Sequence, residues 1–592
     1  QQLRGMDIAA EALVIFSGRY AALAAEKSVA ETDVKRKAEL LRIAEICRRV
    51  PLHPPRDFWE ALQYYWFVHL GVISELNTWD SFNPGRLDQH LLPFYRRGLE
   101  DGSLTRERAR ELLEAFWVKF NNQPAPPKVG VTAEESATYT DFCLINLGGL
   151  DRNGDDAANE LSFLLLDVIE DMRLLQPSSA VQVSRKTPDS LLKRAARIIR
   201  TGYGQPSLFN TDTIILEMLR QGKSLEDARS GGASGCVEAG IFGKENYNLT
   251  GYFNLAKILE ITLHNGRDPR TGKRLGPETG DPSGFRSFEE LVRSFGRHVR
   301  HFADIKIRGN AIIERLYADA MPAPFLSLLI DDCLSRGRDY HDGGARYNTS
   351  YIQGVGLGTT TDSLVSLKHN VFDAGVVSMS DALAALDADF QGQEILRQRF
   401  LNKTPKYGND DEEADSVMRR VFEAVFQAVD GRPNAKGGTY RINLLPTTVH
   451  IYFGRVTGAM PDGRRAGEPL SEGISPVQGA DRRGPTAVLR SAAKMDHVRT
   501  GGTLLNQKFT PHLLDSEEGL DNLVHLVRAY FQLGGHHIQF NVVTAETLRR
   551  AQERPELFRD LIVRVAGYSD YFVDLNPTLQ NEIIRRTEHD SF

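Results

Sequence analysis

Cysteine is scarce: Cys47, Cys143, Cys236 and Cys333 are the four thiols in a chain of 592 residues. Four cannot staple a chain this long, so a disulfide scaffold is excluded and a reducing, cytoplasmic setting is expected. Uninterrupted apolar runs of about 18 residues are missing, and no membrane span is expected. The N-terminus lacks a basic stretch followed by an apolar core, so no signal peptide is read there. An excess of either charge is lacking too. Lys plus Arg number 72 against 78 Asp plus Glu, a net charge of −6. These charges are spread along the chain, and no nucleic-acid-binding face is expected. Gly and Pro, 51 and 26 residues, are too few for a collagen-like or low-complexity chain. Neither a fixed-period repeat nor a Ser/Gly or Pro-rich linker divides the sequence. The first residue is Gln1 rather than Met, which reads as a fragment or a processed start.

What is present is an alternation of helical and strand-like segments. Residues 59–70 and 106–120 carry apolar side chains at helical spacing, and Leu161, Leu164, Leu165 and Val168 repeat the same stripe. Between them, 141–147, 180–184, 207–210, 346–357 and 537–543 read as buried strands. This order predicts an α/β fold with a mainly parallel sheet. Residues 454–488 are rich in Gly and Arg and poor in periodicity; a loop this long inside a compact domain is usually functional.

Several motifs resemble chemistry without completing it. The Gly354, Gly356 and Gly358 series follows a strand, but its third glycine falls one place early for a dinucleotide loop, so a tight strand-to-helix turn is the better reading. The segment from Asp151 to Asp155 starts like a calcium loop, yet Ser162 stands where the closing Glu is required, which favours an Asx turn before a helix. His298 with His301 and His536 with His537 lack a thiol or carboxylate set to complete a metal site. Arg464 and Arg465 suit a phosphate or a structural loop equally.

Two segments stand apart. In GGASGCVEAG (231–240), Cys236 sits in a Gly-rich loop with Glu238 two residues on. On an extended backbone these two side chains point to one side, with Cα atoms roughly 6–7 Å apart. A small buried hydrophobe is the bland reading of a free cysteine. Near the C-terminus, RVAGYS (564–569) places Gly567 where a strand-end turn is the bland reading. Loss of a glycine Cα hydrogen leaves a planar radical shared between the flanking amides. A thiol is its natural hydrogen-exchange partner, because the two bonds are close in strength.

GCVE together with RVAGYS resembles the glycyl radical enzyme family, which includes pyruvate formate-lyase and the radical diol dehydratases. The segments 461–489 and 501–511 are similar to that family's C-terminal region, and 43–51 and 75–89 extend the resemblance to the first helices. The resemblance implies an α/β fold with a ten-stranded barrel of two half-barrels surrounded by helices, in which the Cys and Gly loops meet. It implies a barrel domain over 1–455, with its N-terminal part missing, and a glycine radical domain over 456–592. No bound cofactor is implied. Instead, a separate radical S-adenosylmethionine activating enzyme with an iron–sulfur cluster would install the radical on Gly567. A homodimer, an anaerobic life and a small amino-acid substrate complete the expectation.

A single Cys followed by Glu238 matches the dehydratase branch, since pyruvate formate-lyase itself has two adjacent cysteines. Residues 239–266 resemble the members of that branch that dehydrate trans-4-hydroxy-L-proline to 1-pyrroline-5-carboxylate; decarboxylation of 4-hydroxyphenylacetate and diol dehydration are the alternatives. Carried over, Cys236 takes the substrate hydrogen and Glu238 handles a proton at the leaving hydroxyl. Asp80 pairs with the ring ammonium or shares the acid–base work. Tyr252, Phe142, Ser136 and Thr447 shape the pocket or bind the carboxylate. Phe142 and Tyr252 could equally be core aromatics, Ser136 and Thr447 loop caps, and Asp80 a turn residue. Family members also carry an earlier helical segment, from which the family's hydroxyproline-dehydrating branch draws an active-site His. This sequence has no counterpart, so the chain is expected to be truncated and short of full activity.

Overall fold

The computed structural model describes residues 1–76, 81–122 and 142–592. Asp80 and Ser136 lie outside the described residues. The strand readings hold closely: β1 is Gly85–Arg86, β2 Leu144–Gly148, β3 Ser178–Val183, β4 Ser207–Asn210, β5 Gly232–Ser234, β6 Glu238–Gly240 and β7 Glu245–Asn254. They continue with β8 Tyr347–Val355, β9 Thr439–Asn443, β10 Asn506–Phe509, β11 His537–Val542, β12 Ile562–Arg564, β13 Ser569–Tyr571 and β14 Glu588–His589.

Among the described residues, one sheet has the order β1-β2-β3-β4-β11-β10-β14. Its first four strands run parallel, β11 lies antiparallel to β4, and β10 and β14 run parallel to β11. A second, parallel sheet has the order β7-β8-β9. The two parallel blocks of the first sheet therefore face opposite ways across the β4–β11 seam. Helices pack outside, as the helical stripes predict. Phe58–Ile73, Arg106–Asn121 and Glu160–Met172 press Trp66, Trp117, Leu164 and Leu165 into the largest core.

The strand-to-helix reading of the glycine series is met: β8 ends at Val355, Gly356 turns, and a helix runs over Leu357–Leu367. Asp151 accepts from the backbone N–H of Asn153 and Asp155, an Asx turn ahead of the helix that begins at Glu160. Arg464 is buried and donates to the carbonyls of Gly454, Gly458 and Glu468, which is the structural alternative for that arginine pair. The aperiodic stretch read over 454–488 ends slightly early, because Pro485 starts a helix over Pro485–Ala493.

Helix Gln2–Ala30 contains an 18-residue window of mean hydropathy 1.4, long and apolar enough to cross a membrane by length and composition alone. Charged residues such as Glu11 and Arg19 interrupt its apolar runs. One side of it buries Met6, Leu13 and Ala21, packing against helices Val34–Arg49 and Pro324–Leu329.

Candidate active site

Two short antiparallel hairpins, β5–β6 and β12–β13, pack on the large sheet, and the first also touches β7 of the second sheet. The first carries Cys236 at its tip. Asn146 of β2 grips this hairpin from the large sheet, donating to the Ala233 carbonyl at 2.8 Å and accepting from its N–H at 3.1 Å. From the other side, Tyr351 of β8 donates to the Ala239 carbonyl at 2.7 Å. Asn83 donates to Ser234 at 2.6 Å and accepts from the Leu144 N–H at 2.6 Å, tying the hairpin to β2 a second time.

The tip is a tight turn rather than the extended backbone expected from spacing. Gly235 takes a left-handed φ of 55°, and the chain reverses over residues 235–237. Glu238 consequently folds back on the turn. Its Oε2 accepts from the N–H groups of Cys236 at 3.0 Å and Val237 at 3.1 Å, while Gln353 of β8 donates to Oε1 at 2.6 Å. The carboxylate satisfies turn donors that a two-stranded hairpin leaves open. Burial raises its pKa above the usual range despite these three donors.

The second hairpin carries Gly567, buried, with φ 85°. The Val565 N–H donates to the Tyr568 carbonyl at 2.9 Å and closes the loop. A Cβ on Gly567 would stand 2.2 Å from the Cβ of Cys236 and 2.6 Å from its Sγ. No side chain fits there, and the left-handed φ excludes most of them independently. The backbone carbon of Gly567 is thus held against the thiol of Cys236.

A cavity of about 160 Å³ opens beside the Cys tip, lined by Cys236, Glu238, Phe142, Tyr247, Asn83 and Thr447 among others. That is about the size of an engineered core cavity that takes up benzene. Phe142 also sets its ring edge-on to Tyr568 at 6.3 Å, joining the cavity wall to the Gly loop. Thr447 holds a left-handed φ of 52° and shares a 2.8 Å hydrogen bond with the Tyr252 hydroxyl. Tyr252 therefore reaches the site through Thr447.

Of the residues proposed from sequence, Cys236, Gly567, Glu238, Phe142 and Thr447 come together here, with Tyr252 one hydrogen bond behind. Gln353, Asn83, Asn146 and Tyr247 were not singled out. For Asn146 and Gln353 the signal was a lone polar side chain in an otherwise buried run, as in LINLG and SYIQGV. The other thiols lie apart from the cavity: burial pushes Cys47 up to about 11 and Cys333 up to about 12. His536, just before β11, and His537, its first residue, are buried, and burial pushes His536 down to about 3. Among the described residues no group of His, Cys, Asp and Glu is placed to hold a metal ion.

The model of the family described as pyruvate formate lyase-like matches residues 1–454, and the model described as glycine radical matches 470–573. The chain is 57% identical to trans-4-hydroxy-L-proline dehydratase of Clostridioides difficile over 586 residues, covering 99% of this chain and 74% of that protein. It is 37% identical to isethionate sulfite-lyase of Oleidesulfovibrio alaskensis, covering 100% of this chain and 72% of that one. Among solved structures, hydroxyproline dehydratase from C. difficile with trans-4-hydroxy-L-proline bound matches with a TM-score of 0.98, covering 100% of this chain and 75% of that one. The glycerol-bound glycerol dehydratase from Clostridium butyricum matches at 38% identity with a TM-score of 0.94, covering 98% and 73%. The chain spans about three quarters of the length of these relatives. With a thiol and a carboxylate at one cavity, a side-chain-free glycine against that thiol, and matches that run through both hairpins, this chain belongs to the pyruvate formate lyase-like glycyl radical enzymes.

Proposed function

We propose that this enzyme removes water from trans-4-hydroxy-L-proline to give 1-pyrroline-5-carboxylate. The observation that carries the reading is the contact between Gly567 and Cys236, beside Glu238, in a chain 57% identical to a dehydratase solved with that substrate.

The stored radical sits on the Cα of Gly567 and takes a hydrogen atom from Cys236, leaving a thiyl. The thiyl removes a hydrogen from C5 of the ring, next to nitrogen. The C4–O bond then breaks, and Glu238 supplies the proton with which the hydroxyl leaves as water. A raised pKa suits this work, since the group must both hold and release a proton near neutrality. The ring nitrogen gives up a proton that restores Glu238, and a C5–N double bond forms. The carbon radical takes its hydrogen back from Cys236. Atoms balance as substrate less water, and no electron enters or leaves.

Thr447, oriented by Tyr252, supplies a hydroxyl for the substrate carboxylate, and Phe142 walls the ring. Asp80 pairs with the ring ammonium and Ser136 contributes to carboxylate binding, as the resemblance implies. The same resemblance carries a radical S-adenosylmethionine activating enzyme as partner, a homodimer, an anaerobic cytoplasmic setting, and a division into 1–455 and 456–592. The two sheets are taken as walls of the ten-stranded barrel; such walls keep a carbon radical from side reactions with water.

The test is anaerobic activation followed by electron paramagnetic resonance and product analysis. A doublet from one α-hydrogen, with pyrroline formed from hydroxyproline, is expected. Cresol from 4-hydroxyphenylacetate without pyrroline, or no doublet, overturns the reading.

A further inference from the structure

The hairpin bearing Gly567 is short, and among the described residues no strand pairs with the edge of β12 away from β13. That edge is met by side chains. Asn541 of β11 accepts from the Arg564 N–H at 2.7 Å and donates to the Arg564 carbonyl at 2.7 Å. Asn506 of β10, paired in register with Gln539, donates to the Val565 carbonyl at 3.1 Å. Arg586 donates to the same carbonyl at 2.8 Å. The Oε1 of Gln539 accepts from the Gly567 N–H at 3.3 Å and from Arg564 Nε at 2.8 Å, while its amide donates to Asn506. Gln539 and Asn541 are two apart on one strand, so both face the loop, and all three amides are buried.

A side-chain amide carries the same donor and acceptor as a peptide bond, so an Asn can stand in for a strand partner. Asn146 does so for the other hairpin, with the same pair of bonds to Ala233. Each of the two meeting loops therefore has an asparagine of the large sheet that makes both bonds to one of its residues. The bonds go to backbone atoms, so they set where the loop lies rather than its chemistry.

We propose that Asn541, backed by Gln539, is a positioning residue that seats Gly567 at hydrogen-transfer distance from Cys236, with Asn146 its counterpart beneath Cys236. This rests on the radical roles assigned above to Gly567 and Cys236, but not on the identity of the substrate.

The test uses the full chain with Asn541→Leu, similar in shape but without either bond, and Asn541→Asp, which keeps the acceptor and loses the donor. Crystal structures of the unactivated proteins give the distance from Cys236 Sγ to Gly567 Cα. Spin counting after activation gives turnover per radical. We expect the distance to lengthen and turnover per spin to fall at least tenfold in Asn541→Leu, with KM within twofold of the parent and a smaller loss in Asn541→Asp. Asn146→Leu should mirror this from the Cys side. If Asn541→Leu does not fold, Asn541→Asp decides by the same measures. An unmoved loop, or turnover per spin within twofold of the parent, overturns the proposal, as does a loss that appears in KM. If the parent forms a doublet but no pyrroline, the substrate reading falls while the measured distance still decides this one. No doublet in the parent removes the radical reading itself.

Discussion

The two hairpins that meet at the site are built alike and finished differently. Both are short antiparallel ribbons on the large sheet, and both turn at a left-handed glycine. The Cys tip opens onto the cavity and wraps its turn around a carboxylate of raised pKa. The Gly tip is buried and is held through backbone bonds to Gln539, Asn506, Asn541 and Arg586. The difference separates two tasks. A group that works on substrate needs room and a proton carrier beside it, whereas a stored radical needs closure from water.

The largest effect should come from Gly567→Ala, which breaks the storage side. The methyl group would meet Cys236 Cβ at 2.2 Å, so the loop must move. No radical doublet and no turnover are expected. Cys236→Ser should split the comparison cleanly: activation still yields the doublet, yet turnover is lost by at least four orders of magnitude. A variant that loses both signals would contradict the separation of storage from use. Next comes Glu238→Gln, which removes the proton carrier alone. Turnover per spin should fall by about 10²–10⁴ with the doublet retained.

The elements of this comparison were legible to different degrees. The strand runs around Leu144, Val181 and Ile538 announced themselves through apolar continuity, and GCVE and RVAGYS through unusual chemistry. The turn at Cys236 was not legible, because C-x-E spacing fits an extended chain as well as a hairpin in which Glu238 caps the turn. Nor was the β4–β11 seam, since pairing between segments more than 300 residues apart is set by packing rather than by local pattern. Asn146, Gln353 and Asn541 escaped notice for a simpler reason. A single amide in a buried strand reads as an irregularity until the backbone it pairs with is known.

Beneath the Gly hairpin, Glu472 lies buried near Asn506, Arg586 and Glu582, and burial pushes its pKa up to about 7. A carboxyl raised on folding binds its proton more tightly in the native state. Its stabilising contribution is present below the ordinary value of 4.5 and is lost as pH rises through about 7. Glu472→Gln should therefore flatten the stability–pH curve across that window, by up to about 3 kcal/mol. Chemical denaturation at pH 5 and pH 8 measures it. An unchanged difference between the two pH values would show that the proton sits elsewhere.

The smallest effect sharpens the Cys side. Tyr252 meets the cavity lining at Thr447, through the 2.8 Å bond between their hydroxyls. Tyr252→Phe removes one hydrogen bond and no volume from the cavity, a loss of about 1 kcal/mol. If Thr447 binds the substrate carboxylate, that energy belongs to binding, and KM should rise about fivefold with turnover per spin unchanged. A fall in turnover with KM constant would move Tyr252 from substrate binding to the reacting centre. The cavity would then share its chemistry across both walls instead of keeping it at the Cys tip.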